Sequence, residues 1–561
     1  MVKKRIVEDL KGVVSELGYP TTDIVCNIPK NSIFGDYSTN LALQLAKLKP
    51  ENGKQNSLDI ANKIVDRLKA TGNSKDYLEK IEVAGGFINF FISKDELIKN
   101  AEDLDVLQKK ENPQKVLVEY GHVNPLKEIH IGHIRTFILG ESLCRIFDAL
   151  GDIVFRANYQ GDIGLHIAKA IWGIKQLGLP SKELTLEEKA KFLGQAYAKG
   201  NVSYDENPNA KKEIERINSQ LYLKDPAIKE VYELAREWSL QYFEPIYELL
   251  GVKYDRCFFE SEVYIRGKKI VEENIGKVFE KNDGAVIFPG EKFSLHNRVF
   301  ITSLGNPTYE GKELGLAELE YDTFNYDKSI HVVASEQEGY FQVVIKAIDT
   351  IFPYLKGKKQ HLSYGVVDLK EGKMSSRTGN VITVDDIYHT VCEKVREVIK
   401  QNRLEIDQEL VKKIALGAIK FSYLKFSPRP NIVFDLDQSV SLEGDSGPYV
   451  QYAYARIQSV LKNAKGEIEY GEELELENIE RLLLRQLLYF QETVEETAQS
   501  LHPNLLALYL IDLSRLYNLF YQECRIIDSE KAQFRLKLSL EVGKVLKKGL
   551  NLLGIEAPER M

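Results

Sequence analysis

Between residues 116 and 159 the apolar positions fall into three blocks whose lengths separate strands from a helix. Val116-Leu117-Val118-Glu119-Tyr120 is a compact apolar run, residues 134–150 are apolar almost all round and stop at Gly151, and residues 153–159 form a second short run. Short bounded runs fit buried strands and the long one fits a buried crossover helix, so the segment predicts a β-α-β unit with parallel strands. The pattern returns later: strand candidates at 330–335 and 362–369 flank a helical spacing over 339–354. Two such units predict an α/β domain built on a parallel sheet.

On either side of it the pattern changes. Residues 1 to about 110 mix short helical spacings with Gly85-Gly86-Phe87-Ile88-Asn89-Phe90-Phe91, which reads as a glycine turn feeding a strand, and end in the polar stretch 108–113. This predicts a separate α+β unit over 1–110. The stretch from about 180 to 300 is rich in charge and helical spacing and reads as an insertion between the halves of the sheet. From about 440 onward apolar residues recur at three and four, so 436–561 is expected to be all-helical and 111–435 to hold the parallel sheet. No short-period repeat and no low-complexity tract is present.

With 561 residues the chain has room for three or four domains, which excludes a single small binding module. Its 75 basic and 83 acidic residues leave a net charge of −8, which argues against general nucleic-acid binding but says nothing of a local basic face. Five cysteines (Cys26, Cys144, Cys257, Cys392, Cys524) are odd in number, far apart and never in a C-x-x-C pair, so neither a disulfide framework nor a structural zinc site is indicated. The first residues lack the apolar core of a secretory signal, and no run of about 18 apolar residues occurs. A cytoplasmic protein without a membrane span is expected.

The sharpest local chemistry is His130-Ile131-Gly132-His133, which follows the first strand and opens the first long helix. There two imidazoles and a side-chain-free glycine stand beside the unpaired N–H groups and positive end of a helix, a seat for phosphate and for a flat base packed on Gly132. As bare letters the motif fits a histidine cap and a structural histidine equally well. A second element follows the second β-α-β unit: Gly372-Lys373-Met374-Ser375-Ser376-Arg377-Thr378-Gly379-Asn380, a lysine on a loop with glycines at both ends. Such an amine can close over a triphosphate and neutralise charge that builds on leaving pyrophosphate.

Together the two elements resemble the signature sequences of class I aminoacyl-tRNA synthetases. Glu119-Tyr-Gly-His-Val-Asn124-Pro125, Asn158-Tyr-Gln-Gly-Asp-Ile-Gly164, Gly447-Pro-Tyr-Val-Gln-Tyr-Ala-Tyr-Ala-Arg456 and the ending Leu-Gly-Ile-Glu-Ala-Pro-Glu-Arg-Met narrow the resemblance to the arginyl-tRNA synthetases. Phe34-Gly-Asp-Tyr-Ser-Thr-Asn40 is similar to that family's additional N-terminal domain. The resemblance implies a Rossmann-like catalytic domain, an N-terminal tRNA-contacting domain and an all-α anticodon-binding domain. It implies ligation of arginine to tRNA(Arg) through arginyl-adenylate, with ATP and Mg²⁺ as co-substrate, no tightly bound metal, and a monomer.

Carried over position by position, the family pattern assigns catalysis to His130, Gly132, His133 and Lys373, with Met374, Ser375, Ser376 and Arg377 in the ATP loop. It assigns the arginine α-amino end to Asn124, the guanidinium to Tyr309 and Glu313, and completes the pocket with Gln337 and Glu119. A planar fork of donors is best met by a carboxylate, which is why acidic groups belong there. Glu313 stands where the family usually has Asp, Leu126-Lys127-Glu128 replaces a small or proline-containing segment, and Arg377-Thr378 closes a loop where the wider class often has a second lysine. For tRNA the resemblance points to Phe87 and Asn89, which fit a buried strand pair equally; Tyr452 and Arg456 suit stacking and phosphate contacts to unpaired anticodon bases, the tyrosine fitting a core position equally. In the last helix Lys537, Lys544, Lys547 and Lys548 lie opposite the apolar face, a stripe that fits phosphate tracking and plain solvation equally. A class I synthetase for another amino acid and an inactive tRNA-binding relative are the alternatives.

Overall fold

The computed structural model describes the chain except residues 1, 22–23, 49–55, 103, 105, 181–182, 371–381, 402–405 and 465–474. Its contacts divide into two compact units, one of Met1–Val106, Arg456–Glu492 and Asp512–Leu546, the other of Leu107–Ala455, Thr493–Ile511 and Lys547–Met561.

In the larger unit five strands form one parallel sheet: β1 (Lys115–Glu119), β2 (Ile153–Gln160), β3 (Arg256–Phe259), β4 (Lys328–Ala334) and β5 (Lys359–Tyr364). The order is β5-β4-β1-β2-β3. The chain builds outward from β1 in one direction and then from β4 in the other, so a crevice opens at the carboxyl ends of β1 and β4, where such sheets bind ligands. Helix α1 (Ile131–Ala149) joins β1 to β2 and is buried on nearly all sides, as its unbroken apolar run requires. Helices α2 (Glu260–Glu273) and α3 (Tyr309–Thr323) flank the crevice from the β3 side.

Two expected elements differ. The run 362–369 is divided: β5 ends at Tyr364, and Val367–Leu369 pairs instead with Ile432–Phe434 in a separate parallel ladder. Gly365 is the cause, because a Cβ there would lie 2.3 Å from the Pro430 carbonyl oxygen, a backbone approach that only glycine permits. The segment 180–300 holds the helices Leu186–Glu206, Pro208–Tyr222 and Pro226–Leu250 as expected, but also β3 and a three-stranded antiparallel sheet of Glu280–Asn282, Ala285–Phe288 and Arg298–Ile301. These strands have three or four residues each, too few to show a period of two.

In the smaller unit Phe87–Ile92 pairs antiparallel with Tyr37–Thr39 and with Leu78–Ala84, the latter through Gly85-Gly86 at φ +60° and +87°. Asp36, in the Phe34–Asn40 motif, is buried. It accepts from the Ile92 N–H at 2.7 Å and faces Arg481 and Arg485 at 3.5 and 3.1 Å, so it ties strand to helix. The elements described from residue 447 onward are all helices. Among the described residues no helix is long and apolar enough to cross a membrane.

Candidate active site

His130 is the N-cap of α1, with φ −107° and ψ 168°. Its Nδ1 accepts from the Gly132 N–H at 3.1 Å, its own N–H donates to His133 Nδ1 at 3.2 Å, and the two rings lie 3.9 Å apart by centroid. Because each Nδ1 is an acceptor, each ring carries its hydrogen on Nε2. Burial, helped by the charge of Lys127, pushes the His130 pKa down to about 4, and burial with the neighbouring His130 pushes His133 well below the usual histidine range. The pair therefore presents two neutral N–H donors, and a cationic contribution from these rings is not available near pH 7. Gly132 answers to the ring before it as well as to any ligand, since a Cβ would lie 2.9 Å from His130 Cε1.

Lys373, Met374, Ser375, Ser376 and Arg377 lie outside the described residues. The chain that follows them is seated on the histidine pair: Ile131 N–H donates to Ile382 O at 3.1 Å, and Thr383 forms an antiparallel bridge with His130. Lys127, three residues before His130, is half-buried with its amine 5.0 Å over the Tyr197 ring, and burial lowers its pKa. Among the described residues its charge lowers the pKa of both imidazoles. Sequence reasoning noted it only as a departure from the family segment; a lysine close before the motif was the available signal.

At the other end of the crevice Glu119 closes β1, 1% exposed, opposite His331 in the β1–β4 register. The imidazoles of His331 and His122 stand 3.1 and 3.3 Å from its two oxygens, yet neither oxygen has an aligned hydrogen-bond partner among the described residues. Asn124 Oδ1 accepts from Gly161 N–H at 2.9 Å, and a Cβ on Gly161 would sit 2.7 Å from that oxygen and 3.2 Å from the Tyr309 hydroxyl, so these three groups meet. Tyr309 opens α3 with its ring edge exposed and its hydroxyl end sunk between Asn124 and Glu260; burial and the Glu260 charge raise its pKa. Glu313 follows four residues later on the same helix face and is 4% exposed. Gln337 lies on the exposed turn after β4.

Charge is crowded here. Lys312 pairs with Glu260 at 2.6 Å and Lys359 with Glu320 at 2.6 Å, all buried. With Glu119 and Glu313 there are four buried carboxylates to two ammoniums, a formal excess of two negative charges. Burial first, and then the Glu119 charge, pushes the Glu313 pKa well above the usual carboxyl range. The donor atoms of Glu119, Glu320 and His331 lie within 4.8 Å of one another, a spacing that suits a metal ion, but the Lys359 ammonium already lies on two of them, 2.6 Å from Glu320 and 3.0 Å from His331 Nε2.

The residues expected to meet tRNA are scattered in character. Phe87 is 44% exposed, whereas Asn89 is buried and accepts from the Ser38 hydroxyl at 2.7 Å. Arg456 donates to Asn518 at 2.6 Å and lies 4.9 Å over the Tyr521 ring. Tyr452 lines an apolar hollow of 260 Å³ with Val395, Ile399, Ile414 and Met561. Of the lysine stripe, Lys537 and Lys544 are each paired with the buried Glu541, at 3.1 and 3.2 Å, which lowers the stripe's net charge.

Comparison with known proteins gives the family. Residues 96–436 match the family described as tRNA synthetases class I (R), catalytic domain; residues 1–92 match the arginyl tRNA synthetase N terminal domain and 450–561 the DALR anticodon binding domain. The chain is 32% identical to the arginine--tRNA ligase of Phocaeicola vulgatus over 85% of its own length and 86% of the relative's, and 31% identical to that of Flavobacterium psychrophilum over 91% of each. The Thermus thermophilus arginyl-tRNA synthetase structure superposes over 100% of both chains with TM-score 0.85 and 26% identity. Two neutral imidazole donors at the head of α1 and a carboxylate-rich pocket at the end of β1 are compatible with what these matches show: the chain belongs to the arginyl-tRNA synthetases, class I ligases that join arginine to tRNA.

Proposed function

We propose that this chain joins L-arginine to tRNA(Arg) in two steps and that the crevice between β1 and β4 is where both occur. The observation that carries the reading is Glu119, a buried carboxylate at the switch point whose two oxygens lack aligned donors among the described residues, in a pocket where buried carboxylates outnumber ammoniums. A guanidinium supplies a planar fork of donors and one positive charge, and an α-ammonium supplies a second. In this reading Glu119, Glu313 and Tyr309 receive the guanidinium, Asn124 the α-amino end, and Gln337 closes the pocket.

In the first step the arginine carboxylate attacks the α-phosphorus of ATP, forming a C–O–P bond as the bond to pyrophosphate breaks. Mg²⁺ arrives with ATP and shields its phosphates. No side chain acts as a covalent nucleophile, and the work is positioning and charge stabilisation. His130 and His133 donate from Nε2 to phosphate oxygens, and Lys127 and Lys373 contribute positive charge, with Met374, Ser375, Ser376 and Arg377 forming the loop around the leaving group. In the second step a ribose hydroxyl at the 3′ end of tRNA takes the arginyl group and AMP departs. Residues 1–110 contact the tRNA elbow through the exposed Phe87, with the buried Asn89 holding its strand through Ser38, 111–435 carry the chemistry with 180–300 as insertion, and 436–561 read the anticodon through Tyr452 and Arg456. The protein works as a monomer in the cytoplasm. The test is arginine-dependent ATP–pyrophosphate exchange with and without tRNA(Arg). Exchange with arginine but not with lysine or glutamate is expected, and no exchange in either mixture overturns the reading.

A further inference from the structure

Resting on that arginine reading, we propose that His331 and Lys359 are positioning residues for the substrate side chain, acting through Glu119 and not by contact with substrate. The three residues lie on three adjacent strands: Glu119 ends β1, His331 pairs with it in register on β4, and Lys359 opens β5. The side chains of all three are 1% exposed. Lys359 Nζ stands 3.0 Å from His331 Nε2 and the Ser329 hydroxyl 3.2 Å from the same atom. An ammonium only donates, so Nε2 is an acceptor and the ring hydrogen is fixed on Nδ1, the atom 3.1 Å from Glu119 Oε2. The angle lies outside hydrogen-bond range, so the edge acts through its N–H dipole.

Two alternatives to this state would each spoil Glu119. With the hydrogen on Nε2, the Nδ1 lone pair would face the carboxylate and repel it. With both nitrogens protonated, the imidazolium would neutralise the charge that a guanidinium needs. Lys359 disfavours both, because it occupies Nε2 and places a fixed positive charge beside the ring. The effect is visible at His331, whose pKa is pushed well below the usual range by burial first and then by Lys359. Glu320, 2.6 Å from Lys359, balances that charge so the ammonium can remain buried. The other groups facing this cluster are His122, which stands 3.3 Å from Glu119, together with Glu313, Tyr326 and His361, each coupled electrostatically to one of its members. None of them places a hydrogen on His331.

The experiment uses the full chain with tRNA(Arg) in arginine-dependent exchange, comparing wild type with His331→Gln and with the double variant Lys359→Met/Glu320→Gln, which removes the cation together with its counter-charge. The expected result is an arginine KM raised roughly 10- to 100-fold in both, with kcat and the KM for ATP within about threefold of wild type. In the double variant the arginine KM should also worsen further below pH 7, as His331 becomes free to protonate. In ¹⁵N-labelled wild type, His331 should show a protonated Nδ1 and a bare Nε2, a signature that needs only folded protein. An arginine KM within about twofold of wild type in a folded variant, or a hydrogen found on Nε2, overturns the proposal. An equal rise in both KM values, or a stoichiometric divalent ion held by Glu119, Glu320 and His331, also overturns it. Should wild type itself show no arginine-dependent exchange, the functional reading fails, and the ¹⁵N result still decides whether Lys359 sets the tautomer. Should the double variant not fold, His331→Gln and the ¹⁵N spectrum decide.

Discussion

At the head of α1 the two imidazoles are stripped of charge, whereas at the end of β1 four carboxylates are packed with two ammoniums. Both neighbourhoods are buried, so burial alone does not explain the difference. The imidazoles bond to main chain and among the described residues no carboxylate offsets their burial, so desolvation wins and they stay neutral. The carboxylates are held by lysines and by one another, so part of their charge persists at the cost of a raised pKa for Glu313. The lesson is about substrates: a polyphosphate brings its own charge and countercation and needs directed donors, while a guanidinium is a fixed cation and needs carboxylates that are ionised once it is bound.

The largest effect should come from removing directed donors. His130→Ala is expected to lower the adenylation rate by about 10²- to 10³-fold with little change in arginine affinity, read by exchange kinetics at varied arginine. A purely higher arginine KM would erase the distinction between the two ends. Next, Glu119→Gln keeps shape but removes charge, and should raise the arginine KM by roughly 100-fold while kcat at saturation falls little. Lys127→Met tests whether the nucleotide end relies on a second cation besides Lys373; a roughly tenfold slower exchange with unchanged arginine KM is expected.

How much of this contrast was readable beforehand follows from where each residue lies. The first β-α-β unit and the histidine motif are legible because strand, helix and motif are contiguous, and long apolar runs announce them. The turn at Gly365 is not, because its cause is Pro430, 65 residues away. Tyr309 and Glu313 share a helix face and could be paired by spacing of four, and Glu119 follows from its strand end. Lys359, His331 and Glu320 belong to two strands and a helix, and only the lateral register of the sheet brings them together. Asn89 illustrates the reverse case: alternation with the buried Ile88 and Phe90 places it on the opposite face, beside the exposed Phe87, and its burial goes with its pairing to Ser38 on the neighbouring strand, 51 residues away, which the local pattern does not show.

A subtler pair of changes concerns Glu313 itself. Glu313→Asp restores the family's shorter side chain in a pocket arranged around the longer one and should weaken arginine binding by only about threefold, because charge is kept. Glu313→Gln should cost about tenfold and weaken discrimination between arginine and its uncharged analogue citrulline. Unchanged discrimination in Glu313→Gln would assign the charge reading to Glu119 alone.

The smallest effects, and the ones that separate the two ends most cleanly, are in pH. His130 has a folded pKa of about 4 against 6.5 as the ordinary value, so between these limits the unfolded chain takes up a proton that the folded one refuses. Its contribution to stability is complete above pH 6.5 and is lost as pH falls toward 4, and by NMR its ring should titrate near 4. Glu313 has the opposite sign. Its folded pKa is raised above 4.5, so the folded chain keeps a proton that the unfolded one releases, and its contribution is complete below pH 4.5 and declines as pH rises above that value. A guanidinium bound at Glu313 must expel that proton, so arginine affinity should rise as pH climbs above the ordinary carboxyl range, whereas ATP affinity, corrected for ionisation of ATP itself, should not follow His130. Calorimetry in buffers of differing ionisation enthalpy would count the proton: release of up to one per arginine bound in wild type and a smaller release in Glu313→Gln are expected. No proton release in wild type would mean that Glu313 is already ionised in the free protein, and that the two ends differ in the number of charges but not in how those charges respond to substrate.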